Sequence, residues 1–200
     1  MEKLMSFILS HRTLGNTFIV GIDGLGGAGK STISETLRER LTKQHIRVIL
    51  LHADDFIHPR AVRYNDSLPA WKCYYDLQWR YDYLRDILQE MREGNDTGIQ
   101  IELYDKDADC YHTEHFVSEP DAVMIVEGVF LQRPELAGCF DCMAYLDIPE
   151  PVRLERVLQR DVYIGDAAAI REKYETRYFP AEHHYMEECI PAARADVLIK

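Results

Sequence analysis

The sequence predicts an α/β fold, with a parallel core sheet flanked by helices. Short apolar segments alternate along the 200 residues with segments whose apolar residues recur at helical spacing. This alternation is typical of βαβ units, in which a helix crosses between two parallel strands. No repeat, low-complexity tract or linker interrupts it, so we expect one domain over residues 17–200, preceded by a helical extension at residues 1–16.

The first half of the chain predicts strands and helices in alternation. The extension places Leu4, Phe7 and Ile8 on one face of a short helix. The elements that follow the extension are strand 17–23, helix 30–43, strand 47–52 and helix 76–92. Strand 47–52 is nearly all apolar, as expected for a strand buried on both faces of a sheet. We expect helix 76–92 to stop at Gly94.

The second half predicts a return to the core sheet after a small antiparallel excursion. Segments 99–104 and 111–117 alternate in polarity, which favours a half-buried hairpin. We expect the last long helix to be kinked or broken near Pro180, because proline lacks a backbone N–H. The remaining elements are strands 122–126, 144–147 and 196–199 and helices 152–161 and 167–188.

Composition limits the classes of partner. A formal net charge of −11 argues against a nucleic-acid polymer, which basic surfaces bind, but it allows a small-molecule substrate. No apolar run approaches the ~20 residues of a membrane span, and the N-terminus lacks a signal-peptide pattern, so we expect a cytoplasmic protein.

The five scattered cysteines favour reduced thiols over a disulfide or zinc site. Whether the chain forms a homo-oligomer is left open.

A glycine-rich motif follows the first predicted strand. Residues 24–31 match G-x-x-x-x-G-K-[ST] and lead into a predicted helix, the context that this motif requires. Its backbone N–H groups can surround phosphate oxygens at a helix N-terminus, while Lys30 reaches the β- and γ-phosphates and Ser31 binds Mg²⁺. The sequence therefore predicts a P-loop NTPase fold that binds ATP and Mg²⁺. The candidate nucleotide-binding residues are Gly24, Gly26, Gly27, Ala28, Gly29, Lys30, Ser31 and Thr32.

Carboxylates stand where two predicted strands end. Asp54 and Asp55 follow the second strand, and Glu127 ends strand 122–126. In open α/β sheets, ligands bind outside the carboxyl ends of the strands. Asp54 is therefore a candidate catalytic base and Glu127 a candidate Mg²⁺ residue, while Asp55 is as compatible with a turn-capping role.

Three arginines share one face of helix 152–161. Arg153, Arg156 and Arg160 are spaced i, i+3 and i+7, which is compatible either with a solvated face or with a helical lid that brings guanidinium groups to a phosphoryl group. We expect Arg160 to bind phosphate with Asp161 orienting it, and Arg153 to be dispensable.

The ordered motifs over residues 18–199 resemble the uridine kinase and phosphoribulokinase family of P-loop kinases. The segments that carry this resemblance are GIDGLGGAGKST, HADDF, YYD, LYD, VEG, RLERVLQRD and ADVLI. The resemblance implies an ATP-dependent kinase that transfers the γ-phosphoryl group to a primary hydroxyl, most simply the 5′-hydroxyl of uridine or cytidine.

The resemblance also implies roles for individual residues. Asp54 matches the family's catalytic base, Asp76 the ribose-binding Asp, and Tyr104 a base-pocket Tyr. Phe56, in the matched HADDF segment, joins them as a substrate-binding residue. Glu127 matches the acid near Mg²⁺, and Lys30 and Arg160 complete the catalytic set with Asp54.

The sequence departs from the family's nucleoside kinases on the acceptor side. Val157 stands where those kinases have a second ribose-contacting Arg, and Asp109 falls at the position of their base-reading His. Residues 162–166 lack the lid's further cations, for which Arg171 or Arg177 could substitute. Nicotinamide riboside, pantothenate or another small alcohol are therefore alternative acceptors. A nucleotide-binding regulatory protein without transferase activity is the non-enzyme alternative, and a GTPase is disfavoured because N-K-x-D is absent.

Overall fold

The computed structural model describes residues 1–93, 98–117 and 121–200 of the chain, and in them it contains a parallel five-stranded sheet and a separate two-stranded hairpin. The order in the large sheet is β2-β5-β1-β6-β7, and every pairing in it is parallel. The predicted α/β class with a small antiparallel excursion is confirmed. The strands are β1 (Phe18–Gly24), β2 (Val48–His52), β3 (Ile99–Asp105), β4 (Cys110–Phe116), β5 (Val123–Gly128), β6 (Cys142–Leu146) and β7 (Val197–Ile199).

Helices cover both faces of the sheet. They are α1 (Glu2–His11), α2 (Lys30–Lys43), α3 (Arg60–Arg63), α4 (Ala70–Lys72), α5 (Tyr81–Glu93), α6 (Glu150–Arg160), α7 (Ala167–Lys173), α8 (Phe179–Cys189) and α9 (Pro191–Arg194). Short 3₁₀ turns at Ala53–Asp55 and Pro134–Leu136 and π-helical turns at Cys73–Leu77 and Tyr174–Tyr178 join some of them. Among the described residues, no helix combines the length and the apolar character needed to cross a membrane.

Alternating side chains of the central strands divide the core into two layers. Val20 and Ile22 of β1 belong to an apolar cluster that includes residues of α1 and α2. Ile19, on the opposite face, belongs to a second cluster with residues of α5, α8 and the hairpin. Successive strand residues point to opposite faces, and because both faces are covered, β1 is mostly apolar and is buried along its whole length.

Two predictions about the first half of the chain are wrong in detail. Among the described residues, β2 is an edge strand that pairs with β5 alone, and most of its residues are half-buried rather than buried on both faces. Helix α5 begins at Tyr81 instead of residue 76, because Cys73–Leu77 form a π-helical turn and Trp79 makes an antiparallel bridge to Ile57. The predicted helix stop at Gly94 lies outside the described residues.

The expected irregularity near Pro180 takes the form of a wider turn. The helix that begins at Ala167 changes to π geometry at Tyr174–Tyr178 and returns to α geometry at Phe179. Proline donates no backbone hydrogen bond and its ring crowds the preceding turn, so a π-helical turn just before it relieves both conflicts.

Helix α1 is fixed to the sheet by fully buried side chains, which predicts a large stability effect at Ile8. Ile8 is 0% exposed, whereas its neighbour Leu9 is 42% exposed. We expect Ile8→Ala to lower the free energy of unfolding by about 2–5 kcal/mol, because it leaves a cavity in the core. Leu9→Ala is the matched control, expected within about 0.5 kcal/mol of wild type in urea unfolding. If Ile8→Ala and Leu9→Ala changed the free energy of unfolding by equally small amounts, α1 would not unfold together with the rest of the chain.

Candidate active site

The glycine-rich loop turns the chain from β1 into α2. Gly27 and Gly29 adopt positive φ angles of 78° and 97°, and Gly29 is the N-cap residue of α2. A Cβ atom at Gly27 would lie 2.7 Å from the carbonyl oxygen of Arg153 and 2.8 Å from Val157 Cγ1. Glycine is therefore required at residue 27 both by the backbone conformation and by the close approach of α6. The loop ends at the N-terminus of a 14-residue helix, a favourable position for an anion.

The candidate nucleotide-binding residues lie together in this loop and in the first turn of α2. Lys30 is half-buried, and its Nζ donates to the carbonyl oxygen of Leu25 over 3.3 Å. Ser31 and Thr32 follow it and are exposed. Gly24 ends β1, and Ala28 N–H donates back to Leu25 over 3.0 Å, which closes the turn.

Ser31, Glu127 and His52 form a hydrogen-bonded group beside the loop. Parallel pairing sets His52 of β2 opposite Glu127 of β5. Glu127 Oε1 accepts hydrogen bonds from Ser31 Oγ at 3.0 Å and from His52 Nδ1 at 2.7 Å. Burial acts to raise the pKa of Glu127, but the His52 hydrogen bond and the charge of Lys30 outweigh it and the net pKa is lowered. The hydrogen bond to Glu127 also raises the pKa of His52. Glu127 is therefore an ionised carboxylate within hydrogen-bond distance of Ser31.

The two aspartates after β2 differ in environment. They lie in the 3₁₀ turn Ala53–Asp55, at the same sheet edge as the glycine-rich loop. Asp54 is exposed, whereas Asp55 is half-buried. Burial raises the pKa of Asp55 above its usual range, although His52 and Lys106 act in the opposite direction. Of the two, Asp54 is the carboxylate open to a substrate.

Asp161 orients Arg160, as the sequence predicts. The buried Asp161 carboxylate accepts from Arg160 Nε at 2.6 Å, from a terminal nitrogen of Arg160 at 3.1 Å, and from the Tyr174 hydroxyl at 2.6 Å. The Arg160 side chain remains 62% exposed. Its guanidinium group is thus held at the end of α6 with one edge bound and the rest open to solvent.

The expectation that Arg153 is dispensable is contradicted by its packing. Arg153 is 2% exposed and forms an ion pair with Glu182. Arg156 binds the carbonyl oxygens of Gly27 and Ala28 at 3.2 and 3.1 Å. The three arginines share a helix face, but the first two contact the glycine-rich loop, and Arg160 alone of the three contacts Asp161 among the described residues.

The candidate acceptor residues are dispersed over several elements. Asp76 is exposed in the π-helical turn. Tyr104 is buried in β3, where its hydroxyl donates to Asp109 and accepts from Arg63 over 2.8 Å. Phe56 is 0% exposed, and its ring packs against Tyr83 in the core, so its side chain has no surface to offer a ligand in this conformation.

The residues weighed as replacements for missing lid cations also differ. Arg177 is buried, and it donates to Ala70 and Gln78 over 3.1 Å each. Arg171 is exposed on α7. Val157 is fully buried in an apolar cluster with residues of α7 and α8 and contacts the side of the loop at Gly27. Neither Val157 nor Arg177 is open to solvent.

Comparison with known proteins assigns the family. The model of the phosphoribulokinase / uridine kinase family matches residues 19–200. The chain belongs to this family. The chain is 26% identical over 185 residues to a uridine kinase of Streptococcus uberis, with 90% of this chain and 85% of that protein aligned. The family and this relative indicate that the chain is a P-loop kinase, which is a phosphotransferase.

Solved structures of similar proteins extend the comparison. A protein described as a possible uridine kinase from Bacillus stearothermophilus is 32% identical, with a TM-score of 0.80 over 100% of this chain and 96% of that one. A D-glycerate 3-kinase from Cryptococcus neoformans is 13% identical, with a TM-score of 0.61 over 90% of this chain and 84% of that one, and it shares the fold. The P-loop kinase fold is thus common to proteins that differ widely in sequence.

Sequence reasoning missed a set of polar residues behind the P-loop of this kinase. Asp23 is 0% exposed and accepts hydrogen bonds from Tyr185, Gln132 and the N–H of Gly24. Burial raises the pKa of Asp23, although these hydrogen bonds oppose the shift. Glu182 is buried one helical turn before Tyr185. A charged residue inside the apolar run of β1 is the one sequence signal that could have revealed this set.

Proposed function

We propose that the protein is an ATP-dependent kinase that transfers the γ-phosphoryl group to a primary hydroxyl of a small molecule. The observation that carries the proposal is the meeting of the P-loop, the Ser31–Glu127 pair and exposed Asp54 at one edge of the sheet. Family membership and the kinase relatives support it. Nucleoside is the favoured acceptor class, and the 5′-hydroxyl of uridine or cytidine the favoured group.

The oxygens near Lys30 suit a magnesium ion. Ser31 Oγ and Glu127 Oε1 lie 3.0 Å apart, and the lowered pKa of Glu127 keeps that carboxylate ionised. Mg²⁺ is bound in nucleotide sites by one or two protein oxygens together with phosphates and water. Ser31 would hold the ion directly and Glu127 through water, and the ion would neutralise charge on the β- and γ-phosphates.

Side chains around the loop stabilise charge on the transferred phosphoryl group and remove the proton of the attacking hydroxyl. Phosphoryl transfer depends mainly on positioning and electrostatic stabilisation. Lys30 at the start of α2 and Arg160 at the end of α6 offset charge on the transferred group. Asp54, exposed in the turn that follows β2, accepts the proton of the attacking hydroxyl. Residues 162–166, where Val162 and Tyr163 are largely exposed, form the lid segment that would exclude water.

Two exposed or polar features support a nucleoside acceptor. Asp76 is an exposed carboxylate that can accept hydrogen bonds from two adjacent ribose hydroxyls. Tyr104, with Arg63 and Asp109 at its hydroxyl, adds an aromatic ring with fixed polar neighbours. Phe56 is left out of the proposed site because its ring is buried and carries no polar group, whereas the hydroxyl of the buried Tyr104 has polar partners in Arg63 and Asp109.

The first test identifies the acceptor. Coupled ADP release is measured with uridine, cytidine, 2′-deoxyuridine, nicotinamide riboside and pantothenate, with Lys30→Met as the inactive control. We expect uridine or cytidine to be turned over, and 2′-deoxyuridine to be poorer by a factor of about 10–100 in kcat/KM, because Asp76 loses a charge-assisted hydrogen bond.

Variants of Asp76 sharpen this test. Asp76→Asn should reduce the difference between uridine and 2′-deoxyuridine, whereas Asp66→Asn, at another exposed position of the same segment, should preserve it. Turnover of pantothenate with no nucleoside response would remove the nucleoside acceptor while leaving the kinase.

Asp54 and Asp55 provide an internal comparison for the catalytic base. General-base catalysis contributes about 10²–10⁴-fold, so we expect Asp54→Asn to lower kcat by that order with little change in ATP affinity. Asp55→Asn should lower it much less, because that side chain is half-buried whereas Asp54 is exposed. The opposite ranking would assign the base to Asp55.

Arg160 is expected to act on the transition state. Arg160→Ala should lower kcat more than it weakens ATP binding, because charge on the transferred phosphoryl group is stabilised most in the transition state. Arg38→Ala is a matched control, since Arg38 is also exposed and paired with a carboxylate close along the chain, Glu35. Steady-state kinetics and ATP titration separate the two effects, and equal losses in both would indicate ground-state binding alone.

A further inference from the structure

A buried ion pair contacts both polar groups of one P-loop residue. Glu182 Oε1 accepts from the N–H of Gly26 at 2.8 Å, and Arg153 donates to the Gly26 carbonyl oxygen at 3.0 Å. The same Arg153 nitrogen lies 2.7 Å from Glu182 Oε2, which closes a ring of hydrogen bonds. The two side chains are 2% and 1% exposed. Helices α6 and α8 thus reach the loop through one continuous polar contact.

Arg156 extends this contact along the loop. Its guanidinium group donates to the carbonyl oxygens of Gly27 and Ala28, so the carbonyls of residues 26, 27 and 28 all point to arginines of α6. In a trans peptide the C=O and the following N–H point in opposite directions. The N–H groups of Gly27 and Gly29 are therefore turned away from α6, toward the inner side of the loop, while that of Ala28 donates to Leu25.

Stability alone gives no reason for a buried ion pair at this place. Removing two charges from water is costly, and apolar residues of similar volume are often as stabilising as a buried pair. What an apolar pair cannot supply is a donor for the Gly26 carbonyl and an acceptor for its N–H. A Cβ at Gly26 would lie 3.1 Å from Glu182 Oε1, which shows how closely α8 approaches the loop.

We propose that Arg153 and Glu182 are positioning residues that set the P-loop conformation before nucleotide binds. The pair fixes the peptide groups of Gly26, and Arg156 fixes those that follow, so the phosphates meet amides that are already oriented. Preorganised donors bind an anion more tightly than donors that must be ordered on binding. This inference rests on the proposed function, because it takes the P-loop as the phosphate site.

A double substitution separates positioning from stability. Arg153→Met and Glu182→Leu should each be destabilising alone, since each leaves one buried charge unpaired, whereas the double variant leaves neither charge and should be less destabilised in urea than the sum of the two single variants. We expect the double variant nevertheless to bind ATP about tenfold more weakly, the effect of losing roughly one charged hydrogen bond, with the acceptor KM unchanged. Recovery of both stability and ATP affinity in the double variant would overturn the proposal.

Two further variants keep the outcome decisive. Arg156→Ala removes an exposed side chain, so it should fold normally and raise the KM for ATP without changing that for the acceptor. An unchanged KM for ATP there would also count against the proposal. Ile8→Ala is the control for destabilisation, because it lies in α1 and should leave the KM for ATP at the wild-type value. Absence of ATP binding by the wild-type protein would instead overturn the proposed function itself.

Discussion

The close approach of α6 to Gly27 is the contact on which the arrangement of the site depends. At this point the carbonyl oxygen of Arg153 lies only 2.7 Å from where a Cβ would be, so any larger residue would push the helix away. The helix carries its arginines at i, i+3 and i+7, and one backbone contact therefore positions all three. Two of them bind carbonyl oxygens of the loop, and Arg160, at the end of the helix, stays exposed beside Asp161.

The sequence predicted most of the fold because its signals are local. Period-two and helical patterns gave the strands and helices, and parallel topology placed the residues at the strand ends along one edge. The register of β2 with β5 brings His52 beside Glu127, next to Ser31. Position in the sheet is not local, however, and an all-apolar segment such as β2 looks the same at an edge as at the centre.

The environment of the arginines could not be predicted for a related reason. Spacing along a helix determines which residues share a face, but it does not determine which part of that face another element covers. Arg153 is buried because α8 supplies Glu182, which lies 29 residues further along the chain. A pairing over that distance produces no periodic pattern in the sequence. The contacts on the acceptor side are equally distant in sequence, since Arg63 donates to Tyr104, which lies 41 residues away.

The elements on either side of the lid segment are tied down, and this limits how it can move. Before it, Asp161 is bound to Arg160 and to Tyr174. After it, Asp166 caps α7 by accepting from the N–H of Ala169 at 2.9 Å. From Ala167 the helix runs without interruption through the π-helical turn into α8, where Glu182 binds Gly26 of the loop and Tyr185 binds Asp23 of β1. Closure of the proposed lid would therefore need backbone rotation within residues 162–165, because displacement of α7 and α8 would break the hydrogen bond between Glu182 and Gly26 of the P-loop.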